Sequence, residues 1–484
     1  MGNAAAAGSL QNGTVPEGTG AEQTVPGRRL AELLAALRWS PEAFARHLNA
    51  FARTNRVERV IHPKTPYKWL RGVHPQQPWP ELVAALLATR AGHPIRPADL
   101  GWTGSVAVLY APADDGLAVP WTPTGTLRAA VEVAQAGGVL DRRKFLTVAG
   151  AALTVPAHEW LVSPPTRAEV TGAGRIQLTG DTVGHLETIT AQLRQMDDAI
   201  GSTPILNLAR AHTAHVTGLL SDGRYTDTIG RRIHAALAEI LRLTAWLSFD
   251  ASHHADAQRY FLAALRAART AGDDALGANI VAFMSCQAKE LGRTRDAVTL
   301  AATAAAGHPH AVGRTRAILA LRAAEAHAHA GDSTAVRQHV DTAFDHLADN
   351  PPSYGEPDWS YWMNPTQAHG QAGYAYLTLG DHRRAQHHLQ EAAQLRGGAA
   401  SREGVLQTVL LATSYAQAAT PDLDKAVATG DHALRTLTDS VASPRCTGYL
   451  TTLVNTLSPH RQLPAVRDFT DRARPHLQTA GQAR

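Results

Sequence analysis

The chain has 484 residues, 44% apolar and 18% charged, the profile of a soluble globular protein long enough for two or three folded units. Its two cysteines exclude a disulfide framework and a cysteine-rich zinc site, and they suit a reducing compartment. Residues 1–20 lack the charged and apolar regions of a secretory signal, and no apolar run is long enough to span a bilayer, so a cytoplasmic location without membrane contact is expected. The net charge of +4 is unevenly placed: between Arg28 and Arg71 there are ten Lys/Arg and three Asp/Glu, a local +7, which leaves about −3 for the rest. Such a concentration is the electrostatic footprint of a nucleic-acid contact.

Residues 1–27 are rich in Gly, Ala, Thr and Pro and are expected to be disordered. Helical signal begins at Arg28, where Leu30, Leu33, Leu34 and Leu37 form one apolar stripe. Ser40-Pro41 predicts an N-cap and first helical residue for a second helix carrying Phe44, Leu48 and Phe51. Arg53 to Ile61 is polar and basic. Thr65-Pro66 predicts another cap and start, with Gly72 ending that short helix. A fourth helix is expected over 79–91. Residues 103–180 mix Pro, Gly and short apolar pieces and are expected to be mainly a linker, with a short helix at 141–153.

From residue 181 to 480 the pattern is helical and weakly repetitive. An Ala-rich helix, a turn with Gly or Asp, and a second helix opening on Ala recur, the Ala positions being 257, 297, 335, 385 and 426. Their spacings of 40, 38, 50 and 41 exceed the roughly 34 residues of a regular tetratricopeptide unit. The expected fold class is therefore all-α: a helix-turn-helix bundle over 28–102, then a degenerate tetratricopeptide-like α-solenoid whose stacked pairs share a core and leave a concave surface.

In a helix-turn-helix the second helix enters the major groove. Trp69 and Leu70 are the residues suited to packing inward, leaving Lys64, Thr65, Tyr67, Lys68 and Arg71 as candidate DNA-facing residues. Arg53, Arg56 and Arg59 in the preceding connection are candidate phosphate contacts. In the repeats, Trp359, Tyr361 and Trp362 form the densest aromatic cluster; either they line a concave site for a peptide or apolar ligand, or they pack a lengthened loop onto the solenoid. The 24 histidines include His253-His254, His327 with His329, and His387-His388, but neighbours at these spacings point to different helix faces, so no metal site is expected. There is no phosphate-binding loop, dinucleotide fingerprint or nucleophile elbow, hence no expected cofactor or catalytic residue. Arg142-Arg143-Lys144-Phe145-Leu146 mimics a twin-arginine export signal, but its position far inside the chain favours a short amphipathic helix that joins the domains or packs on the repeats.

Lys64-Thr65-Pro66-Tyr67-Lys68-Trp69-Leu70-Arg71-Gly72, Pro78-Trp79-Pro80-Glu81-Leu82, Ile95-Arg96-Pro97-Ala98-Asp99-Leu100-Gly101-Trp102 and Asp141-Arg142-Arg143-Lys144-Phe145-Leu146 resemble an actinobacterial family that joins an XRE-type helix-turn-helix to tetratricopeptide-like repeats. The resemblance implies a transcriptional regulator, in such proteins often linked to development or secondary metabolism. The connection 52–62 departs from that pattern by being longer than the tight turn of a compact repressor. Double-stranded DNA, a peptide, small molecule or protein in the repeat groove, and a second copy of the chain as homodimer are the expected partners. The alternative is an interaction scaffold without sequence-specific DNA contact.

Overall fold

The computed structural model describes residues 27–54, 60–76, 79–91, 119–135, 147–163, 176–349, 356–397 and 400–481, with Ile95, Leu100 and Trp102 besides. Residues 1–26, Arg56, Arg59 and the Arg142-Arg143 motif lie outside them. The chain divides into two units, Met1–Ala111 and Pro112–Arg484, and the fold is all-α, with one two-stranded bridge among the described residues. Among the described residues no helix is long and apolar enough to cross a membrane.

The first unit holds α1 (Arg28–Ala36), α2 (Pro41–Thr54), α3 (Thr65–Leu70) and α4 (Trp79–Ala91). Leu30, Leu33 and Leu34 of α1 are buried with Phe44 and Leu48 of α2, Trp69 of α3, Leu82, Val83, Leu86 and Leu87 of α4, and Trp102. The Ser40 hydroxyl accepts from the Ala43 amide at 3.1 Å, the expected N-cap. Trp69 meets Phe44 and Trp102 edge-on, with centroids 6.4 and 6.1 Å apart. Thr65 does not cap α3. Lys64 holds the cap position in a helical conformation, because the turn from His62 to Thr65 already winds as a helix. Asn49 of α2 ties down the long connection: its amide donates to the Ile61 carbonyl at 2.9 Å and accepts from the Ile61 amide at 2.8 Å.

In the second unit the repeats are helix pairs: α9 (Asp227–Asp250) with α10 (His254–Ala271), α11 (Asp274–Glu290) with α12 (Thr294–Gly307), α13 (Gly313–His329) with α14 (Ser333–Asp349), α15 (Pro365–Thr378) with α16 (His382–Arg396), and α17 (Arg402–Gln417) with α18 (Leu423–Ser440). A sixth pair, α19 (Pro444–Leu457) with α20 (Pro464–Gly481), follows, and α7 (Gly180–Ile200) and α8 (Leu206–Asp222) precede them. The Gly-Asp turns do two jobs. Gly331 and Gly380 take the left-handed conformation that ends one helix, and Asp332 and Asp381 accept the amides of Ala335 and Arg384 to cap the next. Ala257, Ala297, Ala385 and Ala426 are the fourth residues of their helices and fully buried against the partner. In α14 that place belongs to buried Val336, one residue after the expected Ala335.

The expected linker is also corrected. Residues 119–135 and 147–163 belong to the repeat unit as α5 (Pro123–Gln135) and α6 (Ala151–Val162), packed on α8 and α10 and on α10 and α12. Of the helix expected over 141–153, residues 141–146 lie outside the described ones; the described helix begins at Ala151, and side chains of the repeats hold the segment 147–150 before it. Gln258 bonds both main-chain groups of Val148, Arg293 bonds the Val148 carbonyl, and Asp296 accepts the Gly150 amide at 2.8 Å. Trp160 is 1% exposed and wedges between Gly277 of α11 and Gly307 of α12, where any side chain would overlap its indole.

Gly277→Ala and Gly307→Ala should each lower stability by about 1–3 kcal/mol through overpacking, and Trp160→Ala by about 3–5 kcal/mol through the cavity left behind. Denaturant unfolding of the full chain reads both; an unchanged midpoint for all three would mean that α6 is not integral to the repeats.

Candidate functional site

Among the described residues, two places gather polar side chains. The first is on α3. Lys64, Lys68 and Arg71 are exposed at i, i+4 and i+7, one face of the helical winding, and form no ion pair among the described residues. Trp69 on the opposite side is buried, which fixes that face outward. Arg53 is exposed at the end of α2, and Thr65 is half-buried. Tyr67 is exposed but not free: its hydroxyl donates to Glu42 at 2.6 Å, which holds the Glu42 carboxyl below its usual range and pushes the phenol up.

The second is a cavity of about 360 Å³ within the repeat unit. It exists because the chain of pairs returns on itself: the Ala442 amide donates to the Ile200 carbonyl at 3.1 Å, and Gly201 fits against the Ala442 carbonyl with no room for a side chain. The first helix of each pair presents its inner face. Arg242 and Trp246 come from α9, Phe283 and Glu290 from α11, Arg322 and Glu325 from α13, Gln371 and Tyr374 from α15, Arg402 and Glu403 from α17, and Arg445 and Tyr449 from α19. Asp197 and Asp198 of α7 complete the wall.

Most of these charges neutralise one another. Arg402 lies 3.2 Å from Asp197, 3.3 Å from Asp250 and 3.1 Å from Glu403. Arg445 reaches Asp250 at 3.0 Å and Glu403 at 2.9 Å, and Ser202 donates to Asp250 at 2.7 Å. Lys289 pairs with Glu290 at 2.9 Å, and Tyr449 donates to the same carboxylate, holding Glu290 at about 2 despite burial. Lys289 also sits 3.7 Å from the Tyr374 ring centroid, over its face. Burial dominates at Asp197, whose carboxyl is pushed up to about 7 against the pull of Arg402 and with the further push of Asp250, Asp198 and Glu403. Both cysteines are buried, and burial raises their thiols, Cys446 to about 12, so neither is a poised thiolate.

The aromatic cluster splits. Tyr361 and Trp362 line the cavity, with Tyr361 donating to Asp198 and Trp362 beside Phe283 at 6.0 Å between centroids. Trp359 does not reach it: the 3-10 turn Asp358–Ser360 directs it into the repeat core, 4% exposed. The ionic lining was missed in the sequence. Its signal was present, as Arg242, Trp246 and Asp250 recur every fourth residue within a stretch, 241–250, that holds no other charge. Among the described residues no group of three or more His, Cys, Asp or Glu could hold a metal.

Residues 30–103 match the family model described as the SP15 N-terminal domain. That match takes in α1 to α4 and ends before the repeats. No curated protein matches the chain.

For Asp197 the folded pKa lies above the unfolded value, so the native state holds the proton more tightly and this group's contribution to stability falls as pH rises from about 4 to about 7. Asp197→Asn should therefore gain on the parent chain by up to about 1 kcal/mol per pH unit across that window, then run level above it. Unfolding at pH 5, 6, 7 and 8 measures the gap; a constant gap would show that Asp197 is ionised throughout.

Proposed function

We propose that the chain is a cytoplasmic DNA-binding transcriptional regulator whose repeat unit senses a ligand or partner and supports a homodimer. The observation that carries the DNA-binding half is the single outward face of Lys64, Lys68 and Arg71, three cations without carboxylate partners among the described residues, on a short helix held by a buried tryptophan. Unpaired exposed cations at helical spacing are the groups that neutralise phosphates and reach base edges. The resemblance to XRE-type regulators with tetratricopeptide-like repeats supports the same reading. Arg53 extends the positive surface toward the sugar-phosphate backbone, whereas Tyr67 serves Glu42 first and is the weakest of the candidate contacts. The sensing half draws on the cavity: pockets of this size take small ligands or the end of a peptide.

A scaffold without sequence-specific DNA contact is the second reading. It draws on the shortness of α3, only six residues from Thr65 to Leu70.

Fluorescence anisotropy with the full chain and a labelled mixed-sequence duplex separates the two. Binding should weaken steeply between 50 and 200 mM salt. Lys68→Ala with Arg71→Ala should weaken it at least tenfold and flatten the log–log salt slope by about 2, with thermal unfolding unchanged because both side chains are exposed. No binding at 50 mM salt favours the scaffold; binding untouched by the double substitution places the DNA contact elsewhere than α3.

A further inference from the structure

The pairing of charges around the cavity leaves one cation over. Arg194 pairs with Glu239, Lys289 with Glu290 and Glu325, Arg322 with Glu325, and Arg402 and Arg445 share Asp197, Asp250 and Glu403. Arg396 is hydrogen-bonded to Gln407. Arg242 has neither a carboxylate within 4.0 Å nor a hydrogen bond among the described residues, although it is only 4% exposed and lines the cavity. Its guanidinium lies 5.2 Å from the centroid of Phe283, over the ring. The nearby carboxylates are already engaged, Asp197 by Arg402 and Asp198 by Tyr361. Burial and the neighbouring Arg194 push Arg242 down to about 10, so it stays charged at neutral pH. A buried charge without a partner is the expensive arrangement that proteins otherwise avoid.

A second observation points the same way. Gln371 of α15 is 5% exposed, lines the same cavity, and has no hydrogen-bond partner at either its amide oxygen or its amide nitrogen. An amide donor and an amide acceptor thus stand open in the same cavity wall as the open cation. Aromatic rings form part of the same wall: Phe283 stands edge-on to Trp246 at 5.0 Å and tilted to Trp362 at 6.0 Å.

We infer that this cavity binds a small carboxylate ligand with a flat apolar body, its carboxylate against Arg242, a polar group at Gln371 and its body along Phe283 and Trp362. About 360 Å³ admits one small acid, or the last residue or two of a peptide, and not a folded partner. A free aromatic acid and an aromatic C-terminal residue share this chemistry. The inference rests on the sensing half of the proposed function and is independent of the DNA-binding half.

The test is calorimetry on the full chain, without DNA, using matched pairs: 1-naphthylacetate and 1-naphthylacetamide, and Gly-Gly-Phe with a free or an amidated C-terminus. In at least one pair the acid should bind tenfold or more tightly than its amide and raise the melting temperature. Preference in the naphthyl pair alone identifies a free acid, and preference in the peptide pair identifies a peptide terminus. Arg242→Leu should abolish the preference without lowering the ligand-free melting temperature, since no ion pair is broken. Arg242→Lys, which keeps the charge, should retain part of it. Acids and amides binding alike, no binding by either acid at millimolar concentration, or an undiminished preference in Arg242→Leu would each overturn the inference. Because no DNA is present and Arg242 is remote in sequence from α3, these outcomes leave the anisotropy result to stand or fall by itself.

Discussion

A guanidinium removed from water is costly unless it is given carboxylates, and Arg402 obtains two of its three from far along the chain. It is 3% exposed and meets Asp197, 205 residues earlier, and Asp250, 152 residues earlier. No partial stack of repeats satisfies it. Pairs α9 to α18 can form by neighbour contacts alone, as in any solenoid, but until the last pairs return to α7 and α9, Asp250, Arg402 and Arg445 are short of partners. Such a network does not guarantee net stabilisation, because desolvating each ion offsets much of the attraction. Its effect is selective: an arrangement in which the coil stays open, or closes out of register, leaves charges buried and unpaired. Closure and the ionic lining of the cavity are therefore one constraint seen from two sides.

The irregular parts of the repeat unit serve that constraint. The 50-residue spacing between Ala335 and Ala385 marks an insertion before α15, and the described end of that insertion carries Tyr361 to Asp198 on α7. A regular unit would have had no side chain to place there. The bridge of Ile176–Gln177 with Gly223–Arg224 joins the segments leading into α7 and α9. On the other side, Trp160 and the 147–150 segment cover α10, α11 and α12.

How much of this is legible in a sequence depends on whether the determinant is local. The starts of α1, α2 and α4 follow from caps, prolines and apolar stripes within one or two turns, and those limits agree with the structure. So does the all-α repeat character, because Gly-Asp turns recur. The helix α5 was not legible. It opens Pro-Thr-Gly and has a short apolar set, Ala129, Ala130 and Val133, whose burial is supplied by α8 and α10 rather than by its own periodicity. Val336 replaced Ala335 for a similar reason: a weak consensus cannot resolve a one-residue shift that only the facing helix decides. The cavity was hidden by the geometry of stacked pairs. In α9 every residue from Leu241 to Asp250 is buried, so there is no polar face against which a functional face could be recognised. Charged residues inside such a helix, here Arg242 and Asp250, are the remaining signal, since a charge with no route to water must face other charges or a ligand. Trp359, Tyr361 and Trp362 show the limit of composition: three rings within four residues, parted by one 3-10 turn into core and cavity.

Arginine count and net charge cannot distinguish the two ways this chain uses the residue. In the first unit Lys64, Lys68 and Arg71 stand in water, where a lone cation costs nothing and remains available to a partner. In the second, Arg402 and Arg445 are buried and shared among three carboxylates, so they are bound up in holding the coil closed. Arg242 fits neither pattern: it is as buried as the structural arginines and as unpartnered as the surface ones. Local rules that a fold obeys everywhere else tend to be broken where function imposes its own requirement. Here the rule is that buried charge is paired, and six other cations around the same cavity obey it or find a hydrogen bond. The same cavity wall holds a second unpartnered group, Gln371. Two unpartnered polar groups facing one cavity are what a carboxylate ligand carrying a second polar group would satisfy.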